Sequence, residues 1–530
     1  MKTKYDVVIL GSGHNALVAA GYLAGAGLSV LVLEKNDYLG GATTSQRVFP
    51  DYDARISRYA YLVSLLPQQI IQDLGLNLQL RTRDTASFTP YERDGVSRGL
   101  LLSNLSASVS RSSLRQLIGH NREWEQFQRF YQLARIFAQT VWPTLLEPLP
   151  GVGALERRFQ VDDLHREAWR SLVAEPLGAV VERYLQNDLL RGVVFTDAKI
   201  GLLTHPEDPS LLQNRCFLYH TMGNVTGEWK VPVGGMGRVA GELIRVATRR
   251  GAVMVTRARL LGLELSARQR TVHCEVDGQP RSLEARYLLV NFGPNVLAHY
   301  LGRGYEPGPT HEGSVLKINL LLRRLPRLRN QGVTAREAFQ GTFHVDEGYE
   351  QMKVSHAQAA QSALPDRVPC EVYCHTLTDD SILAPELSTR GFQTMTLFGL
   401  DTPWRSFVGD PAGRTREAAA RCLAGLNRWL AEPLEDCLAR DADGQPCMEI
   451  RNPLDLEAEL GHYRGNIFHG ALTFPFADSA ETTGTWGVET EWTNVLLCGS
   501  GARRGGAVSG IPGHNAARKV LELERADGRS

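Results

Sequence analysis

Three glycine-rich stretches carry most of the chemistry legible in this sequence. The first, Gly11-Ser12-Gly13-His14-Asn15-Ala16, follows the apolar run 5–10 (YDVVIL) and precedes an alanine- and leucine-rich segment, 14–26. This is the GxGxxA form of a dinucleotide fingerprint. Gly11 permits a tight turn, Gly13 lets backbone approach a pyrophosphate, and Ala16 allows close helix–strand packing. A helix starting there offers free N–H groups and the positive end of its dipole to phosphate. Glu34 closes the next apolar run, LSVLVLE, 23 residues after Gly11, where a carboxylate accepts hydrogen bonds from ribose hydroxyls. The second stretch, Leu39-Gly40-Gly41, lets the chain pass close to the extended pyrophosphate and ribityl of a flavin dinucleotide, and Thr43 and Thr44 follow it. Simple NAD-dependent dehydrogenases do not usually continue this way. The third is Gly499-Ser500-Gly501, then Gly505 to Ala517, behind the apolar run 494–498. A helix beginning there would aim its positive end at a reduced flavin ring. The plain alternative is a flexible glycine loop.

These stretches need a large scaffold, and the chain is long enough to supply one. At 530 residues it predicts at least two domains. Hydrophobic residues make up 43% and charged residues 22%, which excludes a disordered chain, a collagen-like repeat and a polytopic membrane protein. Lys plus Arg equals Asp plus Glu at 58 each, so no basic field exists to hold nucleic acid by counterion release. Only 8 of the basic residues are lysine, a bias that base composition explains. Eight cysteines are scattered without a CxxC pair, so zinc ribbons and redox pairs are not expected, and a reducing, cytoplasmic setting fits. Cys370, Cys374 and His375 lie on an expected strand whose alternation puts both thiols on one face, as packing. No metal site is expected. No run of about 18 apolar residues occurs, so no spanning helix is expected.

The periodicities sort the chain into two interleaved units. Residues 5–34 read as a βαβ unit, and 287–290 and 494–498 as further strands buried on both faces. Spacing of three and four from Trp124 to Val141 marks an amphipathic helix, with more helix over 165–196 broken at Pro176. Residues 313–323, 370–377 and 392–399 read as strands of a separate, antiparallel sheet. The fold class is therefore α/β. A doubly wound Rossmann-like FAD domain (1–80, 225–300 and 445–530) interleaves with a substrate domain of antiparallel sheet plus helices (81–224 and 301–444). A second GxGxxA-like string, Gly235 to Ala240, follows Pro232, a residue disfavoured in a central strand. A second nucleotide fold, with Arg257 and Arg259 on a 2′-phosphate, is thus not expected, and neither is an NAD(P)H-dependent reductase.

The segments 7–42, VPVGGMG (231–237), GSVLKINLLLRRLP (313–326), GNIFHG (465–470) and LLCGSGARRGGAVSGIPGHNAA (496–517) resemble the phytoene desaturase-like (carotenoid/retinoid oxidoreductase) flavoprotein family. The likeness is strongest to its pyridine nucleotide-disulfide oxidoreductase domain-containing protein 2-like branch, and the family in turn looks like amine oxidases. The resemblance runs in order along the chain, although 85–220 matches only in texture. Ala42 stands where many relatives have Arg or Lys. Ala502-Arg503-Arg504 stands where they often read Thr-His-Pro, which weakens transfer of substrate identity.

The resemblance and the motifs together imply FAD as cofactor. The expected cradle is Gly11, Gly13, His14, Asn15, Ala16, Glu34, Lys35, Gly40, Gly41, Ala42, Thr43, Val255, Gly499, Ser500, Gly501, Gly510, Ile511, Pro512, Gly513 and Asn515. By likeness to the amine oxidase GxVhK strand, Lys317 would stand near the flavin and aid proton transfer or oxygen reaction; otherwise it snorkels at a sheet rim. His469 either lines the substrate face or packs as a hydrogen-bonded histidine, and His220 and Trp229 carry the same two readings. Tyr59, Tyr61 and Trp404 read as core or rim aromatics. The implied function is FAD-dependent removal of a hydride from carbon of an apolar small molecule, forming C=C or C=N. A redox-neutral isomerase or saturase, and a partner-binding protein with structural FAD, are the alternatives. Oxygen and a quinone both fit as electron acceptor; oligomeric state and peripheral membrane contact stay open.

Overall fold

The computed structural model describes residues 2–266, 269–305 and 312–528. Its first sheet has seven strands. Lys4–Leu10 lies at the middle because Val7 to Leu10 are buried on both faces. It pairs parallel with Val30–Leu33 on one side and with Gln279–Val290 on the other. Val253–Val255 extends the first side. Gln279–Val290 changes partner along its length. Its exposed first half pairs antiparallel with Arg270–Val276, which pairs on to Ala258–Leu265. Its buried end, Leu288 to Val290, pairs parallel with Val495–Leu497. The helices His14–Gly25 and Ile511–Ala526 cover one face of this sheet, with Ala16, Ala19, Ala20, Ala516 and Ala517 in the seam.

The second sheet also has seven strands, in the order Met448–Arg451, Ser314–Leu322, Gln393–Pro403, Cys370–Tyr373, Thr342–Val345, Thr85–Arg93, Val96–Ser103. Its pairs are antiparallel except Thr342–Val345 with Thr85–Arg93. The stretch from 445 on, assigned from sequence to the FAD unit, thus opens with an edge strand of the other sheet. Helices Arg122–Val141, Leu177–Tyr184, Asp188–Thr196 and Leu212–Thr221 form a separate apolar layer around Phe130, Phe137, Phe195 and Phe217.

The second glycine string has a different use from the first. Val231–Pro232 makes a two-residue pairing with Leu80–Arg81, outside the parallel sheet. The helix Met236–Arg249 begins with its N–H groups taken: Met236 donates to Ser57 Oγ at 3.1 Å and Gly237 to Ser45 Oγ at 2.8 Å. A Cβ on Gly237 would sit 2.9 Å from Ser45. These glycines pack one segment on another, and that helix end has no room for a phosphate.

Candidate functional site

Between the two sheets lies a cavity of about 410 Å³, lined by residues from both units. At its nucleotide end, Gly11 takes φ +90° and donates its N–H to Leu33 O at 2.8 Å, turning the chain out of the sheet. The helix His14–Gly25 has Gly13 as its N-cap, with no side-chain cap and no acidic residue in its first turn. Its positive end is therefore left for an anion. A Cβ on Gly13 would come 2.6 Å from Asn291 Nδ2, and one on Gly41 would come 3.2 Å from Gly13 Cα. Only bare backbone fits this close approach. Glu34 Oε2 accepts from Ser12 N–H at 3.0 Å and Ser12 Oγ at 2.6 Å, and its Oε1 accepts from Asn36 N–H at 2.9 Å. The carboxylate is thereby fixed at the end of the second strand, facing the cavity.

Several polar atoms at this end are buried without a partner: His14 Nε2, Asn15 Oδ1, Asn291 Oδ1 and His469 Nδ1. Buried polar groups are normally paired, so these belong to a site built around a polar guest. Donors, acceptors and glycine cradle together fit the pyrophosphate, ribose and ring edges of FAD.

At the other end the wall is apolar and aromatic: Tyr61, Leu62, Ile200, Trp229, Val315, Phe398, Ile467 and Phe468. Lys317 projects from Ser314–Leu322 and donates to Tyr59 O at 2.6 Å and Ser57 O at 2.9 Å, with its ammonium 5.1 Å from the Phe398 ring centre. Burial lowers it to about 7 despite the raising influence of Glu449. Its neighbour Asn319, on the same face, bonds Arg58 O at 3.1 Å and Glu449 Oε2 at 3.1 Å.

The histidines here are neutral. Burial lowers His469 to about 4, and burial followed by the field of His469 does the same to His14. His469 takes φ +61° and packs its ring 4.6 Å from that of His462. His14 Nδ1 is 3.0 Å from Thr43 Oγ1. His220, also lowered to about 4 by burial, lines the wall beside Trp229, whose Nε1 donates to His220 O at 2.9 Å.

Of the expected cradle, Gly11, Gly13, His14, Asn15, Glu34, Lys35, Gly41, Ala42, Thr43 and Ser500 line the cavity, as do Lys317 and His469. The others stand behind its wall. Gly40 bonds back to Ser12 O at 3.1 Å, and Ala16 packs in the sheet–helix seam. Val255 O receives the Glu34 N–H at 2.9 Å. Cβ atoms on Gly499, Gly501 and Gly513 would strike Asn291 O, Pro294 Cδ and Asn15 O at 2.4, 2.7 and 1.9 Å. Gly510, Ile511 and Pro512 start the closing helix, and Asn515 bonds Leu145 O at 3.2 Å. In that turn Ala507 and Val508 reach the cavity.

One expectation about neighbouring residues is corrected. Tyr59 and Tyr61, read as ordinary aromatics, are cavity wall. Arg504, in the stretch where relatives often read Thr-His-Pro, is fully buried and donates to Pro475 O at 3.0 Å, Leu145 O at 3.1 Å and Glu147 O at 2.5 Å. It ties two loops together, while Arg503 pairs with Asp478 at 2.6 Å. Sequence reasoning missed Asn291, although it follows a strand buried on both faces, at the carboxyl edge where open α/β sheets bind ligands. It also missed Phe398 and His462, which nothing local distinguishes.

A family model describing flavin-containing amine oxidoreductases matches residues 17–351. An uncharacterized protein of Mycobacterium tuberculosis is 45% identical over 524 residues, 98% of this chain and 97% of that protein. Pyridine nucleotide-disulfide oxidoreductase domain-containing protein 2 of Rattus norvegicus is 27% identical over 578 residues, covering 98% and 94%. Among solved structures, a putrescine oxidase variant superposes with a TM-score of 0.59 at 18% identity, covering 99% of each chain. Cyclohexylamine oxidase from Brevibacterium oxydans superposes with 0.55 at 14% identity, covering 98% and 99%. At such identities the two structures show the fold alone.

Proposed function

This chain belongs to the flavin-containing amine oxidoreductase family and is an FAD-dependent oxidoreductase, and from that premise we propose that it dehydrogenates an uncharged, apolar small molecule at carbon, leaving a C=C bond. The observation that carries this reading is the charge of the wall. Among the described residues lining the cavity, the one carboxylate is Glu34, which stands at the nucleotide end and is held by Ser12 and Asn36. An ammonium entering the aromatic end would meet Lys317 and two neutral histidines, with no acidic partner to offset its desolvation.

Bound FAD supplies the hydride acceptor. The chain supplies the rest. The N-terminal end of His14–Gly25 and the glycine turns would hold the pyrophosphate, and Glu34 would meet the ribose. Tyr61, Trp229, Phe398 and Phe468 exclude water and orient an apolar skeleton by shape. Making a C=C bond also releases a proton from the adjacent carbon. Lys317 Nζ, poised near neutrality, is the group suited to receive it, whereas burial makes His469 and His220 on the same wall weaker bases. Both backbone carbonyls that hold Nζ keep it in place whichever charge it carries.

Anaerobic mixing of the purified yellow protein with neutral alicyclic and isoprenoid compounds, and separately with primary amines, tests this. Neutral compounds should bleach the visible flavin absorption and yield the unsaturated product. Bleaching by amines alone would replace C=C with C=N chemistry. Turnover only after chemical reduction, without net electron transfer, would make the protein an isomerase.

A further inference from the structure

One buried polar cluster takes no part in the chemistry above. His344, on Thr342–Val345, stands directly opposite Glu371, on Cys370–Tyr373, in antiparallel register, so both side chains share a sheet face. Glu347 follows in the turn after His344, and its Oε2 contacts His344 Nδ1. The ligating atoms of the three residues all lie within 4.8 Å of one another, and the residues are 3%, 2% and 2% exposed. Glu371 also accepts from Thr196 Oγ1 at 3.1 Å and Tyr373 Oη at 2.7 Å. Glu347 Oε1, by contrast, is buried with no hydrogen-bond partner.

Asp197, Glu347 and Glu371 feel one another here, and among the described residues the facing cation not already paired with a carboxylate is Arg83. Lys199 is spent on Asp401 at 2.7 Å, and Asp346 on Arg428. Buried carboxylates in excess of nearby cations need either protons or a metal.

We propose that His344, Glu347 and Glu371 bind a divalent first-row transition cation of the zinc or manganese class. One imidazole and two carboxylates form a donor set that such ions accept. Binding would replace the contact between His344 Nδ1 and Glu347 Oε2 with bonds to the cation and give Glu347 Oε1 a partner. The turn is held for this. A Cβ on Gly192 would sit 1.9 Å from Glu347 O, and one on Gly348 would sit 2.5 Å from Asp188 Oδ2, so the helix Asp188–Thr196 presses directly on the ligand-bearing loop. The cation would therefore fasten the turn carrying Glu347 to two neighbouring strands of the sheet, one strand beyond Phe398 in the cavity wall. This site does not depend on which substrate the cavity takes.

Elemental analysis of the flavin-loaded full chain, purified from zinc- and manganese-supplemented cultures and desalted, tests the proposal. About one cation per chain is expected, falling at least about tenfold in Glu371→Gln and His344→Gln. X-ray absorption should show nitrogen and oxygen ligands with one imidazole. Should the variants fail to fold, the wild-type stoichiometry and its absorption spectrum decide the matter alone. Less than about a tenth of an equivalent, with an infrared band of a protonated carboxyl that Glu347→Gln removes, would overturn it. Sulfur ligation would overturn it too.

Discussion

Lys317 donates to the Tyr59 carbonyl at 2.6 Å, joining a strand of the second sheet to the loop that brings Tyr59, Tyr61 and Leu62 to the cavity wall. The same amine also holds Ser57 O at 2.9 Å. A lysine in this position is both a fastening and a titratable group.

Replacing it separates the two roles. Lys317→Met should slow substrate-driven flavin reduction about a hundredfold or more, the lower end of the range for losing a positioned acid–base group, as read by anaerobic stopped flow. An unchanged rate would confine Lys317 to holding the loop. The pH dependence of stability has a definite sign. The folded amine titrates at about 7 and the free one at 10.5, so between those values the unfolded chain binds more protons. Stability should rise with pH across that window, and the penalty should be complete below about 7. Denaturant midpoints compared with Lys317→Met, which lacks this rise, measure it.

Gly13→Ala should leave the fold and lose the cofactor. The new methyl would meet Asn291 Nδ2 at 2.6 Å, and relieving that contact costs about 1–3 kcal/mol. FAD affinity should fall roughly tenfold to a hundredfold, read from the flavin-to-protein absorbance ratio and from titration of the apoprotein. Gly241→Ala is the control, since a Cβ there meets nothing within 4 Å. In the middle of Met236–Arg249 it should stabilise the protein by about 0.5–1 kcal/mol and leave flavin binding alone.

Glu34→Gln replaces an acceptor-only carboxylate that holds both Ser12 N–H and Ser12 Oγ. A charge-assisted hydrogen bond is worth about 1.5–3 kcal/mol. Flavin retention on gel filtration should drop, with FAD Kd raised about tenfold or more, and the lost bonds to Ser12 should also lower the denaturant midpoint of the apoprotein. Equal retention would remove Glu34 from the cofactor site.

Lys199 and Asp401 form an ion pair at 2.7 Å with both side chains fully buried. Lys199→Met should destabilise the protein by about 3–5 kcal/mol, because it strands a carboxylate away from water. Combining it with Asp401→Asn, which tolerates the left-handed φ of 54° at that position, should recover much of that loss. Urea denaturation of the four proteins in the cycle gives the coupling directly.

Much of the nucleotide end was legible from the chain order. The fingerprint and Glu34 sit within one local βαβ unit and the glycine pair at 40–41 follows it directly, so spacing dictates their positions. The glycines near 499–513 were legible as a motif, but their individual jobs were not. Gly513 and Gly499 are glycine because carbonyl oxygens of Asn15 and Asn291, remote in sequence, lie against them. The strand Cys370–Tyr373 shows the same limit. Its thiols drew notice and face the core, while Glu371 and Tyr373 on the other face form the polar network.

What the sequence by itself determined is the α/β class, the FAD fingerprint and the strand that carries Lys317, because each follows from spacing within a few dozen residues. Only the tertiary structure decided which side chains meet. It set Arg504 to tying loops, brought Tyr61 and Phe398 to the cavity, and placed His344 opposite Glu371. Those pairings depend on strand register between segments far apart in the chain, and register is settled by packing of the whole core rather than by any local pattern.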